Sequence, residues 1–273
     1  YQECRKAGIK PIIGCEVYIT SGSRLDKSLE TRNKLYHLIL LVENKTGYQN
    51  LMKIVSIGEV EGFYYKPRID MDVLRQYHEG LICLSACVAG EVPRHIIRGE
   101  LETAEKVMLE YLDIFGRDHY YLEIQNHGLP EEAVVRRELH ALAKKHQIKL
   151  VATNDLHYIH KEDAAGQDIL LCIQTNARYL DPQRMRFNND SYYLKSREEM
   201  EELFPDDQEA LDNTLEIADK CNLELEFGHL LLPEFPLPEG ETMDGFLRKL
   251  CEKGFPSRYP DDDGTARKRM EYE

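Results

Sequence analysis

The sequence predicts an α/β protein with a mostly parallel sheet, because short apolar runs alternate with amphipathic stretches from residue 9 to residue 153. Residues 9–19 (IKPIIGCEVYI) and 35–42 (LYHLILLV) are typical of strands. Residues 46–60 have apolar side chains at helical spacing. The alternation then continues, with strands expected at 81–85, 120–124 and 150–153 and helices at 101–115 and 130–146. Such a chain forms either a doubly wound sheet or a closed barrel.

Local signals support several of these boundaries. Gly116 follows the helix at 101–115 as a C-cap, and Pro130 opens the next helix in its first turn. Ser196 and Glu199 form a capping box for a helix at 196–203. A further helix is expected at 208–221, and the intervening stretch 175–191 is polar and irregular. The proline-rich residues 232–240 indicate a linker or boundary, and residues 1–8 and 267–273 both resemble interrupted helices.

The amino-acid composition and net charge argue against several classes of protein. A hydrophobic fraction of 42% over 273 residues is sufficient for a buried core. The net charge of −14 argues against a chain that coats duplex DNA by itself, although a local basic groove or a metal cluster can offset it. Seven scattered cysteines do not form a secreted disulfide framework, and no apolar run is long enough to span a membrane. We therefore expect a cytoplasmic protein with no membrane partner.

Asp155 and His157 are the sharpest candidates for chemistry. They lie two residues apart just after the predicted strand 150–153, so in extended backbone their side chains project to the same side. The carboxyl end of a barrel strand is where α/β enzymes place their functional groups. A carboxylate and a neutral imidazole suit a borderline divalent cation such as Zn²⁺ or Mn²⁺. We predict a metal site with these two residues in the catalytic role.

Other predicted strands carry polar side chains as well. Glu16 lies in an apolar strand, where a carboxylate is costly unless it is paired, binds a metal or faces solvent from an edge strand. His37 and Cys87 also sit in or after apolar runs, where a lone histidine is usually a satisfied core residue and a lone cysteine is usually inert. Glu123 and His127 are two further polar residues, near the end of another predicted strand. Together, Glu16, His37, Cys87, Asp155 and His157 predict a metal cluster where several strands end at one face.

Several segments in this order resemble one known family. The segments GIKPIIGCEVY, NKTGYQNLMKIVS, GFYYKPRID, LSACVAGE and ATNDLHYI are similar to the PHP domain of the alpha subunits of bacterial C-family replicative DNA polymerases (DNA polymerase III). The similarity extends through YLKSREEMEELF and NTLEIADKCNLELEF to LLLPEFPLPEG. It implies a distorted barrel of about seven β/α units, here lacking its N-terminal strands, followed by a helical segment that leads into the polymerase core.

The resemblance also implies a metal site of nine ligands for up to three divalent ions. Four ligands would precede residue 1, and the other five correspond to Glu16, His37, Cys87, Asp155 and His157. The implied reaction is metal-assisted hydrolysis of a phosphoester, associated in this family with 3′–5′ exonuclease proofreading. Glu123, His127, Lys66 and Arg68 are expected to act on the substrate side or behind the ligands, although solvated surface charge also explains the two basic residues.

The family further implies the context of the whole protein. We expect residues 1–232 to be the PHP domain and residues 233–273 to begin the polymerase palm. The parent would be a nucleotidyltransferase that uses DNA, dNTPs and Mg²⁺ at a site outside this sequence, with the sliding clamp and clamp loader as partners. Without four of its ligands, this stretch alone is expected to be inactive.

Two other readings of the sequence remain open. A purely structural PHP domain would buttress the polymerase core without catalysis, and the five retained ligand-type residues argue against it. A stand-alone PHP phosphatase would end soon after Asp155 and His157, whereas this chain continues into a long helical and proline-rich region.

Overall fold

Five strands form one mixed sheet in this computed structural model, which describes residues 1–32, 34–230 and 232–273. The strands lie side by side in chain order: β1 (Gly14–Thr20), β2 (Leu35–Val42), β3 (Leu81–Leu84), β4 (Tyr120–Ile124) and β5 (Leu150–Ala152). The β1–β2 and β2–β3 pairs are antiparallel, whereas the β3–β4 and β4–β5 pairs are parallel. The predicted α/β class is therefore confirmed.

The prediction of a mostly parallel sheet is wrong for the β1–β2 and β2–β3 pairs. Residues 21–34 join β1 to β2, and no helix occurs in the described part of this connection. A connection of this kind reverses the chain, whereas parallel neighbours require a longer crossover. Crossovers that contain helices do separate β3, β4 and β5. In the described residues the five strands form one sheet with β1 and β5 at its edges, and the expected barrel of about seven units, here without its N-terminal strands, stays a prediction.

Helices connect and cover the strands. In the described part of the chain they are α1 (Gln2–Lys6), α2 (Lys45–Val60), α3 (Met71–Tyr77), α4 (Glu91–Ile97), α5 (Leu101–Phe115), α6 (Pro130–His146), α7 (Ala164–Thr175), α8 (Arg197–Leu203), α9 (Gln208–Lys220), α10 (Met243–Arg258) and α11 (Thr265–Tyr272). A 3₁₀ turn at Lys161–Asp163 precedes α7.

The central strands are buried on both faces. Every residue of β3 and β4 is buried, as expected when helices cover a sheet on both sides. Tyr120 and Tyr121 point to opposite faces because side chains alternate along a strand. Tyr120 stacks on Tyr111 of α5 with ring centroids 5.8 Å apart, whereas Tyr121 belongs to a core cluster with Val151 and with Ile217 of α9. The apolar core therefore holds the ends of β3, β4 and β5 in a fixed relation.

Several predicted boundaries are confirmed. The elements predicted at 35–42, 101–115, 120–124 and 130–146 have these same bounds. The capping box also forms, since Ser196 Oγ accepts the Glu199 N–H at 3.2 Å and a Glu199 carboxylate oxygen accepts the Ser196 N–H at 2.7 Å. The first strand, however, begins at Gly14 rather than residue 9. Sequence analysis did not predict α3, α4 or α7.

The chain divides into two compact units, residues 1–224 and 225–273. The first contains the sheet and helices α1–α9, and the second contains α10 and α11. Among the described residues, no helix combines the length and the apolar character that crossing a membrane requires.

Candidate metal centre

The antiparallel pair β1–β2 brings Glu16 and His37 together. His37 is directly opposite Tyr18, and Glu16 lies two residues before Tyr18, so all three side chains share one face of the sheet. The contact is a diagonal one, with Glu16 Oε1 3.1 Å from His37 Nδ1. The Tyr18 ring packs edge-on against the His37 ring at 5.2 Å between centroids and fixes its orientation from the side.

Cys87 reaches the same imidazole from the loop after β3. Its Sγ lies 3.7 Å from His37 Nδ1 and accepts the Ala89 N–H at 3.4 Å. The loop is fixed to β2 because the His37 N–H donates to the Ala89 carbonyl at 3.1 Å. Ala86 just before Cys87 has φ of 64°, a left-handed conformation that costs a non-glycine residue about 1–2 kcal/mol. The fold therefore holds Cys87 in place against a local backbone preference.

Asp155 and His157 lie beyond the end of β5, in a segment without regular structure. His157 Nδ1–H donates to the Asp155 carbonyl at 3.1 Å and lies 3.5 Å from Asp155 Oδ1. Both side chains are about one-third exposed, at 33% for His157 and 36% for Asp155. This arrangement leaves Nε2 as the His157 nitrogen that carries a lone pair.

Residues 189–195, which we call the strap, form hydrogen bonds with the segment that carries Asp155 and His157. Asn154 Nδ2 donates to the Tyr193 carbonyl at 2.7 Å, and Lys195 Nζ donates to Asn154 Oδ1 at 3.0 Å. The His157 N–H donates to the Tyr192 carbonyl at 2.9 Å. Sequence analysis did not assign these residues a role, because their contacts with Asn154 and His157 join positions about 35 to 41 apart in the sequence.

Burial and nearby negative charge both raise the pKa of the Cys87 thiol. The pKa of its thiol is raised to about 12, chiefly by burial and further by the carboxylates of Asp155, Glu16 and Glu123. Cys87 and Glu123 also line the same small cavity. The carboxylates of Asp155 and Glu16 thus both disfavour the thiolate form of Cys87.

Glu123 is a buried carboxyl behind this neighbourhood. Burial raises its pKa to about 7, although hydrogen bonds from Thr153 and Gln125 to Oε1 act in the opposite direction. Its Oε2 has no hydrogen-bond partner among the described residues. A buried carboxyl oxygen without a partner is costly and suits a site that receives a cation or a proton.

The five predicted ligands form two separate sets of contacts, one of Glu16, His37 and Cys87 and one of Asp155 and His157. Within the described residues, no group of three or more His, Cys, Asp or Glu side chains is arranged to hold one metal ion. Glu16 and Cys87 both approach the same nitrogen of His37, and Asp155 instead pairs with His157.

The other predicted residues differ widely in accessibility. Lys66 is exposed, and its Nζ lies 5.3 Å from the centre of the Tyr18 ring, at the rim of the site. The structure does not support a substrate contact for Arg68, which is fully buried and donates to the carbonyls of Thr31 and Tyr64. His127 is buried too, with both ring nitrogens engaged inside the protein.

Comparisons with known proteins agree with one another. The PHP domain family matches residues 1–127. The DNA polymerase III subunit alpha of Borreliella burgdorferi is 43% identical over 276 residues, covering 100% of this chain and 24% of that protein. The same subunit of Treponema pallidum is 44% identical, covering 99% of this chain and 23% of the relative, and that of Thermus aquaticus is 44% identical, covering 96% and 22%. The chain thus spans about a quarter of the length of these curated relatives.

Proposed function

Because this chain belongs to the family of DNA polymerase III alpha subunits and carries the PHP domain in its first 127 residues, we propose that it forms a metal-dependent phosphoester hydrolase site within a replicative DNA polymerase. The substrate would be the 3′ end of a DNA strand, and the reaction would be 3′–5′ exonucleolytic removal of a nucleotide. The relatives are DNA polymerase III alpha subunits, and this chain aligns with about a quarter of their length.

One observation carries the proposal. Glu16, His37 and Cys87 are remote in sequence, yet they come from β1, β2 and the loop after β3 to contact around a single imidazole nitrogen. A carboxylate, an imidazole and a thiol are the donor types that bind zinc and similar cations. Asp155 and His157 would complete the donor set from the end of β5.

The residues present fit a divalent cation. A buried thiol surrounded by three carboxylates is held in its neutral form, as the raised pKa of Cys87 indicates. A bound cation would instead favour the thiolate form of Cys87, because thiol ligands bind metals as thiolates and metal binding releases their protons. The unpartnered Glu123 Oε2 behind the site has the same need for positive charge. We propose Zn²⁺ or Mn²⁺ as the resident ions.

Each side chain has a distinct part in the proposed chemistry. A bound divalent cation would supply Lewis acidity and offset negative charge on the phosphoester. Glu16, His37 and Cys87 would hold it, and Asp155 would hold it and fix the orientation of His157. The exposed His157 Nε2 is the nitrogen available to bind the cation or to carry a proton to or from the substrate. Lys66 at the rim would attract the phosphate backbone.

The wider context belongs to the same proposal. The full-length protein would polymerise DNA from dNTPs with Mg²⁺ at a separate site, in the cytoplasm, together with a sliding clamp and a clamp loader. Residues 233–273, which include α10 and α11, would lead into the palm, and the PHP domain would end near residue 232. The division of the chain after residue 224 supports a boundary in this region.

The test uses the full-length protein and measures both bound metal and hydrolysis of a single-stranded oligonucleotide from its 3′ end. We expect stoichiometric zinc or manganese in the unmodified protein. Asp155→Asn and His157→Ala should each lower hydrolysis by about 100-fold, because each removes a proposed ligand.

Matched controls separate this effect from a general loss of structure. Asp212→Asn and His140→Ala make the same chemical changes at exposed positions of α9 and α6 and should leave hydrolysis unchanged. Absence of stoichiometric metal, or hydrolysis equal in all five proteins, would contradict the proposal and leave a structural domain as the function of this region.

A further inference from the structure

His127 is a buried residue that joins three separate segments of the chain. It is 4% exposed, in the turn between β4 and α6. Its carbonyl accepts hydrogen bonds from Asn189 Nδ2 at 2.7 Å and from Ser191 Oγ at 3.1 Å, both of which belong to the strap. Its N–H donates to Glu132 in the first turn of α6 at 2.7 Å. The residue therefore connects the turn, the helix and the strap.

The imidazole of His127 extends the same connection to the candidate metal centre. The Asp155 N–H donates to His127 Nε2 at 3.0 Å. Since a backbone amide can only donate, Nε2 carries the lone pair and Nδ1 carries the hydrogen. Nδ1–H then donates to Glu132 Oε1 at 2.7 Å. Each ring nitrogen has one partner, and the two partners require the same tautomer.

Packing holds this ring in place. The Tyr192 ring of the strap stacks on it with centroids 4.6 Å apart and planes 5° from parallel. The side chains of His127 and Glu132 are only 2% and 5% exposed. Glu132 is fixed in turn, because Oε2 also accepts the Leu129 N–H at 3.1 Å. A ring so enclosed, with both nitrogens bonded, has no free nitrogen for a metal ion or a substrate.

We propose that His127 is a positioning residue for Asp155: its Nε2 fixes the backbone of Asp155, and its carbonyl fixes the strap, so that the Asp155 carboxylate points to the metal. This inference rests on the proposed function, because it concerns the same metal centre. Of the two roles expected for His127, on the substrate side or behind the ligands, it selects the second. The hydrogen bonds from Glu132 through His127 therefore hold the main-chain N–H of Asp155 and leave the Asp155 carboxylate free to bind the metal.

The contact itself is tested without metal. Amide hydrogen exchange over residues 150–158 is measured by mass spectrometry in the metal-free full-length protein. His127→Ala should raise exchange of the Asp155 amide about tenfold, since that N–H loses its acceptor. His127→Gln should restore slow exchange, because the glutamine side chain reaches about as far and offers an oxygen to the same N–H.

His146→Ala is the matched control. His146 lies at the opposite end of α6 and makes an equivalent histidine–carboxylate pair, with Nε2 2.5 Å from Glu105 Oε1. This variant should leave exchange over residues 150–158 unchanged. Fast exchange in the control, or slow exchange in His127→Ala, would overturn the proposed contact.

The consequence for the metal is tested by the zinc dissociation constant. It should weaken about 10- to 100-fold in His127→Ala, recover in His127→Gln and stay unchanged in His146→Ala. An unchanged constant in His127→Ala, despite faster exchange, would overturn the positioning role. If the unmodified protein bound no zinc, the proposed function would fail, while the exchange experiment would still decide whether His127 orders Asp155.

Discussion

Glutamate side chains in this protein occupy two opposite electrostatic environments. Hydrogen bonds from Lys149 at 2.5 Å and from Lys220 lower the pKa of Glu216 to about 2, and the Tyr121 hydroxyl donates to it at 2.9 Å. Burial instead raises the pKa of Glu123 to about 7. Glu216 thus connects α9 to β4 and to the residue before β5 through hydrogen bonds, whereas Glu123 lies behind the candidate metal centre.

The Glu216 cluster predicts a pH-dependent contribution to stability. The folded-state pKa of about 2 lies below the ordinary value of 4.5, so the stabilisation is complete above pH 4.5 and is lost as the pH falls towards 2. Glu216→Gln should lower the free energy of unfolding by about 1 kcal/mol at pH 7, a size typical of partly exposed pairs. Urea unfolding at pH 7 and pH 3.5 should show a smaller difference at the lower pH.

Glu102→Gln, on the exposed surface of α5, is the control and should behave as the unmodified protein at both pH values. A Glu216→Gln difference that stays constant or grows towards acid pH would contradict the assigned role of this carboxylate.

The sequence indicates candidate metal ligands more readily than it indicates the residues that hold those candidates in position. Glu16 and His37 stand out because a polar side chain in an apolar strand needs a reason. The positioning contact of His127 depends on a partner 28 positions away and on a buried ring, and neither is visible in the local pattern. Arg68 was misjudged for a similar reason, since its backbone carbonyl partners are set by tertiary structure.

Secondary-structure elements were most predictable where their ends carry chemical signals. Pro130 and the capping box at Ser196 mark their helices correctly, and Gly116 has the positive φ of 74° expected of a terminating glycine. The short helices α3 and α4 span only seven residues each, too few to establish a period. In α7, Leu170 and Ile173 are exposed, so the helix lacks a clear polar face. Strand direction in the first half of the sheet depends on long-range pairing and was not predictable locally.

Close backbone packing between α2 and the turn before β3 gives a prediction for one element. A Cβ added at Gly47 would lie 1.8 Å from the Gly80 carbonyl oxygen, which is backbone and cannot rotate away. Gly47→Ala should therefore destabilise the protein by about 1–3 kcal/mol, the range typical of overpacked sites. Thermal or urea unfolding measures this directly.

Gly166→Ala provides the matched control within α7. A Cβ there meets no atom within 4 Å, so the change should be neutral or stabilise the helix by up to about 1 kcal/mol. Equal stability of the two variants would show that α2 does not approach the Gly80 turn as closely as described.

At the scale of the whole molecule, the sheet brings Glu16, His37 and Cys87 into contact although they are remote in sequence. Glu16, His37, Cys87 and Asp155 come from two strands and two loops, and all belong to the compact unit of residues 1–224. The apolar core around Tyr121 and Val151 sets the relation of these strands. The candidate site therefore depends on the complete sheet rather than on one local motif.

Cobalt binding tests the central claim most directly, because a thiolate bound to Co²⁺ gives a charge-transfer absorption band in the near ultraviolet. Titration of the full-length, metal-free protein with Co²⁺ should produce this band in the unmodified protein and in Cys251→Ser, whose cysteine is exposed on α10. Cys87→Ser should lack the band, since it removes the proposed thiolate ligand. A band that persists in Cys87→Ser, or that never forms in the unmodified protein, would contradict a metal centre built around Cys87.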